Sequence, residues 1–188
     1  MSTKRVIIAL LLLASTLSAN AQRTAVGMNQ ISASANWNIS SLGGEILYGH
    51  YLAHGYWFGN VGFSDRAEKD VQLSETVHHQ RLQVGGGYMA RLYGTKTRNL
   101  NIYGGGDTFI GAEMLDAFRN LTPSARQSFY TAGFTDFRFI YGLSARLEAE
   151  YFPINNLAII GLIRVPLYLN TKFSLLGIEM GVGARVNF

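Results

Sequence analysis

The sequence contains no cysteine, little proline and few charges. Its 188 residues include no Cys and only 3 Pro, and 15% of them are Asp, Glu, Lys or Arg. The lack of Cys excludes disulfides, thiolate zinc sites, thiol nucleophiles and cysteine-linked lipid anchors. The low charged fraction, together with 12% aromatic residues, argues against disorder and coiled coils. A single ordered domain is expected, and its 21 Gly are unusual for a cytosolic α/β enzyme.

The N-terminal segment has the layout of a secretory signal peptide. Lys4 and Arg5 precede an apolar run over residues 6–13, and the triplet 19–21 forms an Ala-Asn-Ala cleavage site. We therefore predict a signal peptide over residues 1–21 and one mature domain over residues 22–188. An uncleaved anchor helix is the alternative, but the run is shorter than the roughly 20 apolar residues that a spanning helix needs.

The mature chain has little net charge. Without Lys4 and Arg5, its Lys and Arg outnumber its Asp and Glu by only two. This balance predicts no direct nucleic-acid binding. No segment after residue 21 offers 18 consecutive apolar residues, so entry into a membrane as helices is not expected.

The strongest pattern is an alternation of period two. Over residues 139–151 the odd positions are apolar, whereas the even positions after Ile140 carry Gly, Ser, Arg or Glu. Residues 177–188 repeat this alternation up to the terminal Phe188. A run of thirteen alternating residues is about twice as long as an ordinary strand of a soluble protein. One apolar face and one face of Gly and charge are what a membrane barrel requires, with lipid outside and polar side chains in the lumen.

Six further segments fit the same template with varying clarity. They cover residues 30–37, 45–52, 56–66, 81–92, 100–113 and 157–168. The connections at 53–55, 94–99 and 153–156 are short, whereas those at 67–76 and 114–136 are longer, as expected for periplasmic turns and outer loops. We predict an all-β fold, an eight-stranded antiparallel up-and-down outer-membrane β-barrel.

Strand parity directs charged side chains into the lumen of this barrel. Six acidic residues face seven arginines, which predicts a salt-bridged plug and no open pore. The predicted lumenal charge network comprises Glu45, Arg66, Arg81, Arg91, Asp107, Glu113, Arg138, Arg146, Glu148, Glu150, Arg164, Glu179 and Arg185.

Two patterns within the strands resemble catalytic or cofactor motifs. Glu148 and Glu150 share one strand face about 7 Å apart, a spacing at which two carboxylates could flank a water. Gly85, Gly87 and Ala90 match G-x-G-x-x-A, a dinucleotide-binding fingerprint. That motif must open a helix, whereas here the alternation continues to residue 92. We therefore favour a structural role for both and predict no cofactor.

A Ser, Glu and His cluster marks the outer end of the fourth strand. Ser74, Glu75, His78 and His79 occupy a position where lipid A-modifying barrels place catalytic residues. Neighbouring His side chains point to opposite faces of a strand, so only one could meet a substrate. A solvated loop edge is the favoured interpretation. No third ligand accompanies the two His residues, and neither a metal site nor a catalytic site is predicted.

Two regions are candidates for contact with other proteins. The longest outer loop, 114–136, carries apolar and aromatic side chains that suit a partner surface or packing over the barrel mouth. These are Leu115, Phe118, Leu121, Phe129 and Tyr130. The last strand resembles the C-terminal signal that the barrel-assembly machinery reads. Its residues are Val182, Ala184, Val186 and Phe188.

Four features of the sequence occur together: a signal peptide ending in Ala-Gln-Arg, the eight-strand pattern, the Gly104-Gly105-Gly106 run and the stretch from Ala145 to Ile159. With these features the chain resembles the TraO proteins of Bacteroidetes conjugative transposons. The resemblance implies a non-enzymatic outer-membrane component of the conjugal transfer apparatus, with outer-membrane lipid and other transfer proteins as partners. Two alternatives stay open. One is a general OmpX/OmpA-like or porin-family barrel in envelope integrity or adhesion, and the other is a lipid A-modifying hydrolase.

Overall fold

The chain folds as a closed antiparallel barrel. The computed structural model describes residues 25–69, 76–94, 99–115, 137–171 and 174–188. Within these ranges eight strands close into one sheet in sequence order, as the alternation predicts. The strands are β1 (Asn29–Trp37), β2 (Ser41–Leu52), β3 (Gly55–Lys69), β4 (Thr76–Tyr93), β5 (Leu100–Leu115), β6 (Phe137–Ile154), β7 (Leu157–Leu169) and β8 (Glu179–Asn187).

Closure joins the first strand to the last. Strand β8 pairs antiparallel with β7 on one side and with β1 on the other, where Ala33 lies opposite Ala184. A closed sheet leaves no free edge of unpaired backbone groups. Among the residues placed in the structure, no helix is long and apolar enough to cross a membrane.

The alternation of the sequence becomes two faces of the sheet. Along β6, exposed and buried residues alternate from Phe139 to Phe152, because successive side chains point to opposite faces of a strand. Apolar residues such as Leu143 and Leu147 form the outer wall. The buried aromatic core lies in the lumen, where Tyr51, Tyr56 and Tyr103 belong to one cluster.

Most strands extend beyond their predicted ends. Strand β2 begins at Ser41, β3 continues to Lys69, β4 begins at Thr76, β5 continues to Leu115, and β6 runs from Phe137 to Ile154. The predicted outer connections at 67–76 and 114–136 therefore begin too early. Beyond the apolar outer band, backbone pairing such as that of Lys69 with Thr76 continues the ladder. The hydropathy pattern does not report this pairing.

The strands differ in length around the barrel. Strands β1 and β8 have 9 residues each, whereas β4 and β6 have 18 each. Because strand length sets wall height, the wall is shortest at the seam between β8 and β1 and longest on the opposite side.

Candidate functional site

The lumen is filled by charged side chains. Of the thirteen predicted lumenal charges, nine are buried, and the other four, Arg66, Arg91, Arg138 and Glu179, are half-buried. The buried members are Glu45, Arg81, Asp107, Glu113, Arg146, Glu148, Glu150, Arg164 and Arg185. They form three layers along the barrel axis.

The first layer, near the short turns, is built around Arg185 of β8. Its guanidinium donates to Glu148 Oε1 at 2.6 Å, to Glu148 Oε2 at 3.0 Å and to Glu150 Oε1 at 2.9 Å. The hydroxyl of Tyr51 donates to Glu150 at 2.7 Å, and that of Tyr56 donates to Glu148 at 2.8 Å. Both carboxylates are therefore held by a cation and a hydroxyl inside the barrel. This layer joins β6, β8 and the β2–β3 hairpin.

Aromatic rings surround this first layer. Tyr56 meets Tyr51 at 5.5 Å and Tyr103 at 5.1 Å between ring centroids, both edge to face. The Arg185 guanidinium lies 5.0 Å from the Tyr56 ring centroid. Edge-to-face rings and a guanidinium over a ring attract each other, and these contacts help to fix the charged groups in position.

The middle layer joins two acids and two arginines. Arg146 donates to both oxygens of Glu45 at 2.7 Å, the two-point geometry that arginine and carboxylate favour. Asp107 lies 3.4 Å from Arg146 and 3.5 Å from Arg164. The hydroxyl of Ser144 donates to Asp107 and accepts from Arg164. These contacts connect β2, β5, β6 and β7 across the lumen.

The third layer, near the long connections, centres on Glu113 of β5. Arg81 donates to Glu113 Oε2 at 2.8 Å, and the Thr171 hydroxyl donates to the same oxygen at 3.0 Å. The Arg81 guanidinium lies 4.1 Å from the Tyr168 ring centroid. This layer links the barrel wall to the segment that follows β7.

His79 also belongs to this third layer. Its side chain is fully buried, and its Nδ1 lies 4.0 Å from Glu113 Oε2. The prediction of a solvated loop edge is therefore wrong for His79, because the odd residues of β4 face the lumen. His78 lies within β4, and Ser74 and Glu75 fall outside the described residues. No group of three or more His, Asp or Glu that could hold a metal ion occurs in the described ranges.

The two patterns that resemble enzyme motifs have structural surroundings. Glu148 and Glu150 both accept hydrogen bonds from the Arg185 guanidinium, so their oxygens are engaged by the protein itself. Gly85 and Gly87 lie inside β4, and Gly87 is the register partner of Asp107 in β5. A Cβ on Gly87 would come 2.0 Å from the Gly106 carbonyl oxygen, so close strand packing requires glycine there.

The structure describes only part of the two predicted protein-contact regions. Leu115 is the last residue of β5, and the other four candidates in the 114–136 loop fall outside the described residues. In β8, Val182 and Ala184 face outward, and Phe188 follows the strand with about half of its surface exposed. The backbone of Phe188 exchanges hydrogen bonds with that of Asn29 at 2.8 and 2.9 Å.

Sequence reasoning missed several polar partners of the charged residues. Tyr51 shares its strand face with Glu45, so parity along β2 could have identified it. Asn60, which donates to Glu45 at 2.7 Å, lies in a segment with an unclear pattern. Thr171 follows the end of β7, where no alternation indicates its direction.

The fold is similar to those of small outer-membrane proteins. Neisserial surface protein A matches with a TM-score of 0.59 and 14% identity over 87% of this chain and 98% of its own. A major outer membrane protein from Thermus thermophilus matches with a TM-score of 0.58 and 12% identity over 87% of this chain and 100% of its own. The N-terminal barrel domain of Pseudomonas aeruginosa OprF matches with a TM-score of 0.53 and 14% identity over 90% and 100%, respectively.

At this level of identity the structural matches establish the fold alone. No curated protein matches the sequence. The family model for the conjugative transposon protein TraO, however, matches residues 20–188, which is nearly the whole chain. The chain therefore belongs to the TraO family of conjugative transposon proteins.

Proposed function

We propose that this protein is a non-enzymatic outer-membrane component of a conjugative transfer apparatus, in which it acts as a structural and protein-docking barrel. The observation that carries the proposal is the TraO family match over residues 20–188. The closed barrel supports it, because such a barrel offers an apparatus a rigid element in the membrane.

The outer wall supports the location in the outer membrane. Ile110, Leu143 and Ile159 lie on three different strands and expose half or more of their surfaces. Such a wall is stable against lipid, whereas in water it would be a continuous apolar surface. In this proposal a cleaved signal peptide over residues 1–21 directs export, and residues 22–188 form the barrel. The assembly machinery then recognises the face that ends at Phe188.

The contacts of the lumenal carboxylates support a non-enzymatic role. Glu45, Glu113 and Glu148 each accept a hydrogen bond from an arginine at 2.8 Å or less. A general base needs a free lone pair directed at its substrate, whereas these carboxylates direct theirs at guanidinium groups. The network holds the barrel closed and leaves partner recognition to the two ends.

Docking is assigned to the 114–136 loop, which follows the charged third layer. We expect simultaneous Ser substitution of Phe118, Leu121, Phe129 and Tyr130 to lower conjugation while the barrel still assembles. The matched control replaces Ser124 and Ser128 of the same loop with Ala, and it should transfer at the wild-type level. Equal transfer by the two loop variants would remove this loop from the proposal.

The experiment that tests the proposed function is conjugation from a donor that carries a clean deletion of the gene. We expect a large drop in transfer frequency that the wild-type copy restores, with the protein in the outer-membrane fraction of the same strain. Unchanged transfer would contradict the proposal and favour a general outer-membrane barrel. The hydrolase would be favoured if a lipid A modification disappeared upon deletion and also upon His78→Ala or His79→Ala.

A further inference from the structure

A groove opens in the barrel wall at the seam between β1 and β8. Its volume is about 710 Å³, within the range of ligand-binding pockets. We call it the seam groove. It is lined by Trp37, Asn38, Ile39, Ser40, Arg66, Leu176, Gly177, Ile178 and Met180.

The groove exists because the ladder between β1 and β8 ends early. Its last register pair is Trp37 with Met180, after which β1 turns back into the hairpin that leads to β2. The chain that enters β8 instead stays beside β7, where the Gly177 amide donates to the Pro166 carbonyl at 3.1 Å. The two chains therefore separate at the end of the barrel with the long connections.

The outer part of the groove is apolar. Ile178 exposes 59% of its surface, and Ile39 at the hairpin tip is fully exposed. Trp37 and Met180 continue the same surface into the lipid-facing wall. Because these side chains are apolar and each exposes 42% of its surface or more, an occupant of the outer part must itself be apolar.

The inner part of the groove carries a cation. Even-numbered residues of β3 such as Phe58 and Asn60 are buried in the lumen, and Arg66 shares their parity. Its backbone register partner is Ser41, just past the hairpin tip. Arg66 therefore enters the groove from the lumenal side, opposite to the apolar surface. A guanidinium is suited to bind phosphate.

We propose that the seam groove binds a phospholipid with an anionic headgroup. One acyl chain lies along Trp37, Ile178 and Met180, and the phosphate end of the lipid reaches Arg66 across the low wall. A phospholipid matches the groove because its acyl chain can lie on the apolar outer part while its phosphate reaches the cation of the inner part. This inference rests on the proposed insertion of the barrel into a membrane.

The two tryptophans of the chain make the proposal measurable. Trp37 lines the groove, whereas Trp57 faces outward near the short turns and is 45% exposed. The variant Trp57→Phe reports on the groove alone, and Trp37→Phe reports on the distant wall. The full mature chain is reconstituted into phosphatidylcholine vesicles that contain an equal mole fraction of dibrominated phosphatidylglycerol or dibrominated phosphatidylcholine. Bromine quenches tryptophan fluorescence on contact.

We expect brominated phosphatidylglycerol to quench Trp37 roughly two- to fivefold more than brominated phosphatidylcholine, the enrichment that one exposed ion pair gives. Trp57 should be quenched equally by both lipids. Arg66→Gln should abolish the difference at Trp37. Arg138→Gln, which removes an arginine from the same end of the barrel, should preserve it. Heat-dependent migration on gels verifies that each variant forms a barrel.

Three results would overturn the proposal. Equal quenching of Trp37 by both lipids would mean that the groove does not prefer an anionic headgroup and contacts only bulk bilayer lipid. If Trp37 were still quenched more by brominated phosphatidylglycerol after Arg66→Gln, Arg66 would not be the group that binds the headgroup. Protection of Trp37 from both brominated lipids would show that protein, such as a second copy of the chain, covers the groove. Absence of quenching at Trp57 would contradict membrane insertion itself, so the two proposals fail in distinguishable ways.

Discussion

On the outer wall of strand β6, Leu143 and Leu147 are about half exposed, whereas Arg146, Glu148 and Glu150 on the lumenal face of the same strand are buried. In the proposed membrane setting, the wall needs only apolar side chains, because lipid distinguishes little among them. The lumen needs specific partners, because a buried charge is stable only when it is paired and hydrogen-bonded. The wall should therefore tolerate the exchange of one apolar residue for another. In the lumen, a substitution should be tolerated only when the contacts of the original side chain are preserved.

The largest effect is expected from Arg185→Leu. This substitution leaves Glu148 and Glu150 buried together without their shared cation. We expect the free energy of unfolding, measured by urea titration in vesicles, to fall by about 3–5 kcal/mol. Adding Glu148→Gln and Glu150→Gln should restore part of the loss, because the triple variant buries no unpaired charge in this layer. An Arg185→Leu variant as stable as the wild type would contradict the role of the first layer.

A charge on the wall tests the opposite face of the same strand. Leu147 lies between the outward aromatic residues Tyr141 and Tyr151, near the centre of the lipid-facing band. We expect Leu147→Arg to destabilise the barrel in a bilayer by about 2–4 kcal/mol. Tyr151→Arg, at the edge of the band, should cost about 0–1 kcal/mol in the same titration. Equal costs at the two positions would mean that the wall does not face a bilayer as described.

A pair of tyrosines compares the two faces without changing charge. Tyr56→Phe removes the hydroxyl that donates to the Glu148 carboxylate at 2.8 Å, and we expect it to lower the free energy of unfolding by about 1.5–3 kcal/mol. Tyr151→Phe on the lipid face should change it by a few tenths at most. If both variants unfold at the same urea concentration, the lumenal hydroxyl contributes nothing measurable.

The smallest effect on stability is expected from Phe188→Ala. The Phe188 side chain is half exposed, and its backbone pairing with Asn29 does not depend on the side chain. We expect unchanged urea unfolding of the purified barrel but a lower level in the outer-membrane fraction of cells, because the terminal aromatic is assigned to assembly. Normal accumulation in cells would argue against an assembly role for Phe188.

Alternation predicted the face of each residue much better than its partner. Parity from the C-terminal strand directed Arg185 into the lumen, and parity along β6 directed Glu148 and Glu150 there. Their contact could not be predicted, because β7 separates β6 from β8 in the sheet and the pairing crosses the lumen. A period-two pattern specifies a side of the strand, whereas the distance across a closed barrel depends on the register of all eight strands.

Loops and strand ends marked the limit of sequence reasoning. His79 shares its parity with Arg81, so alternation extended by one more pair would have directed it into the lumen. The predicted strand begins at residue 81, which leaves His79 at its outer end. Thr171 reaches Glu113 from a segment without any periodicity. Family membership, in contrast, is shown by the family model over residues 20–188, because small outer-membrane barrels share the strand pattern alone.

The most direct test of an apolar outer wall around a charged lumen is a cysteine scan of β6. The chain has no native Cys, so single substitutions over residues 139–151 can each carry one spin label. We predict that labels at odd positions collide with oxygen dissolved in the bilayer but not with a water-soluble nickel complex, and that labels at even positions collide with neither. Collisions of odd-position labels with the nickel complex, or the loss of the two-residue period, would contradict a lipid-facing wall around a closed, charge-filled lumen.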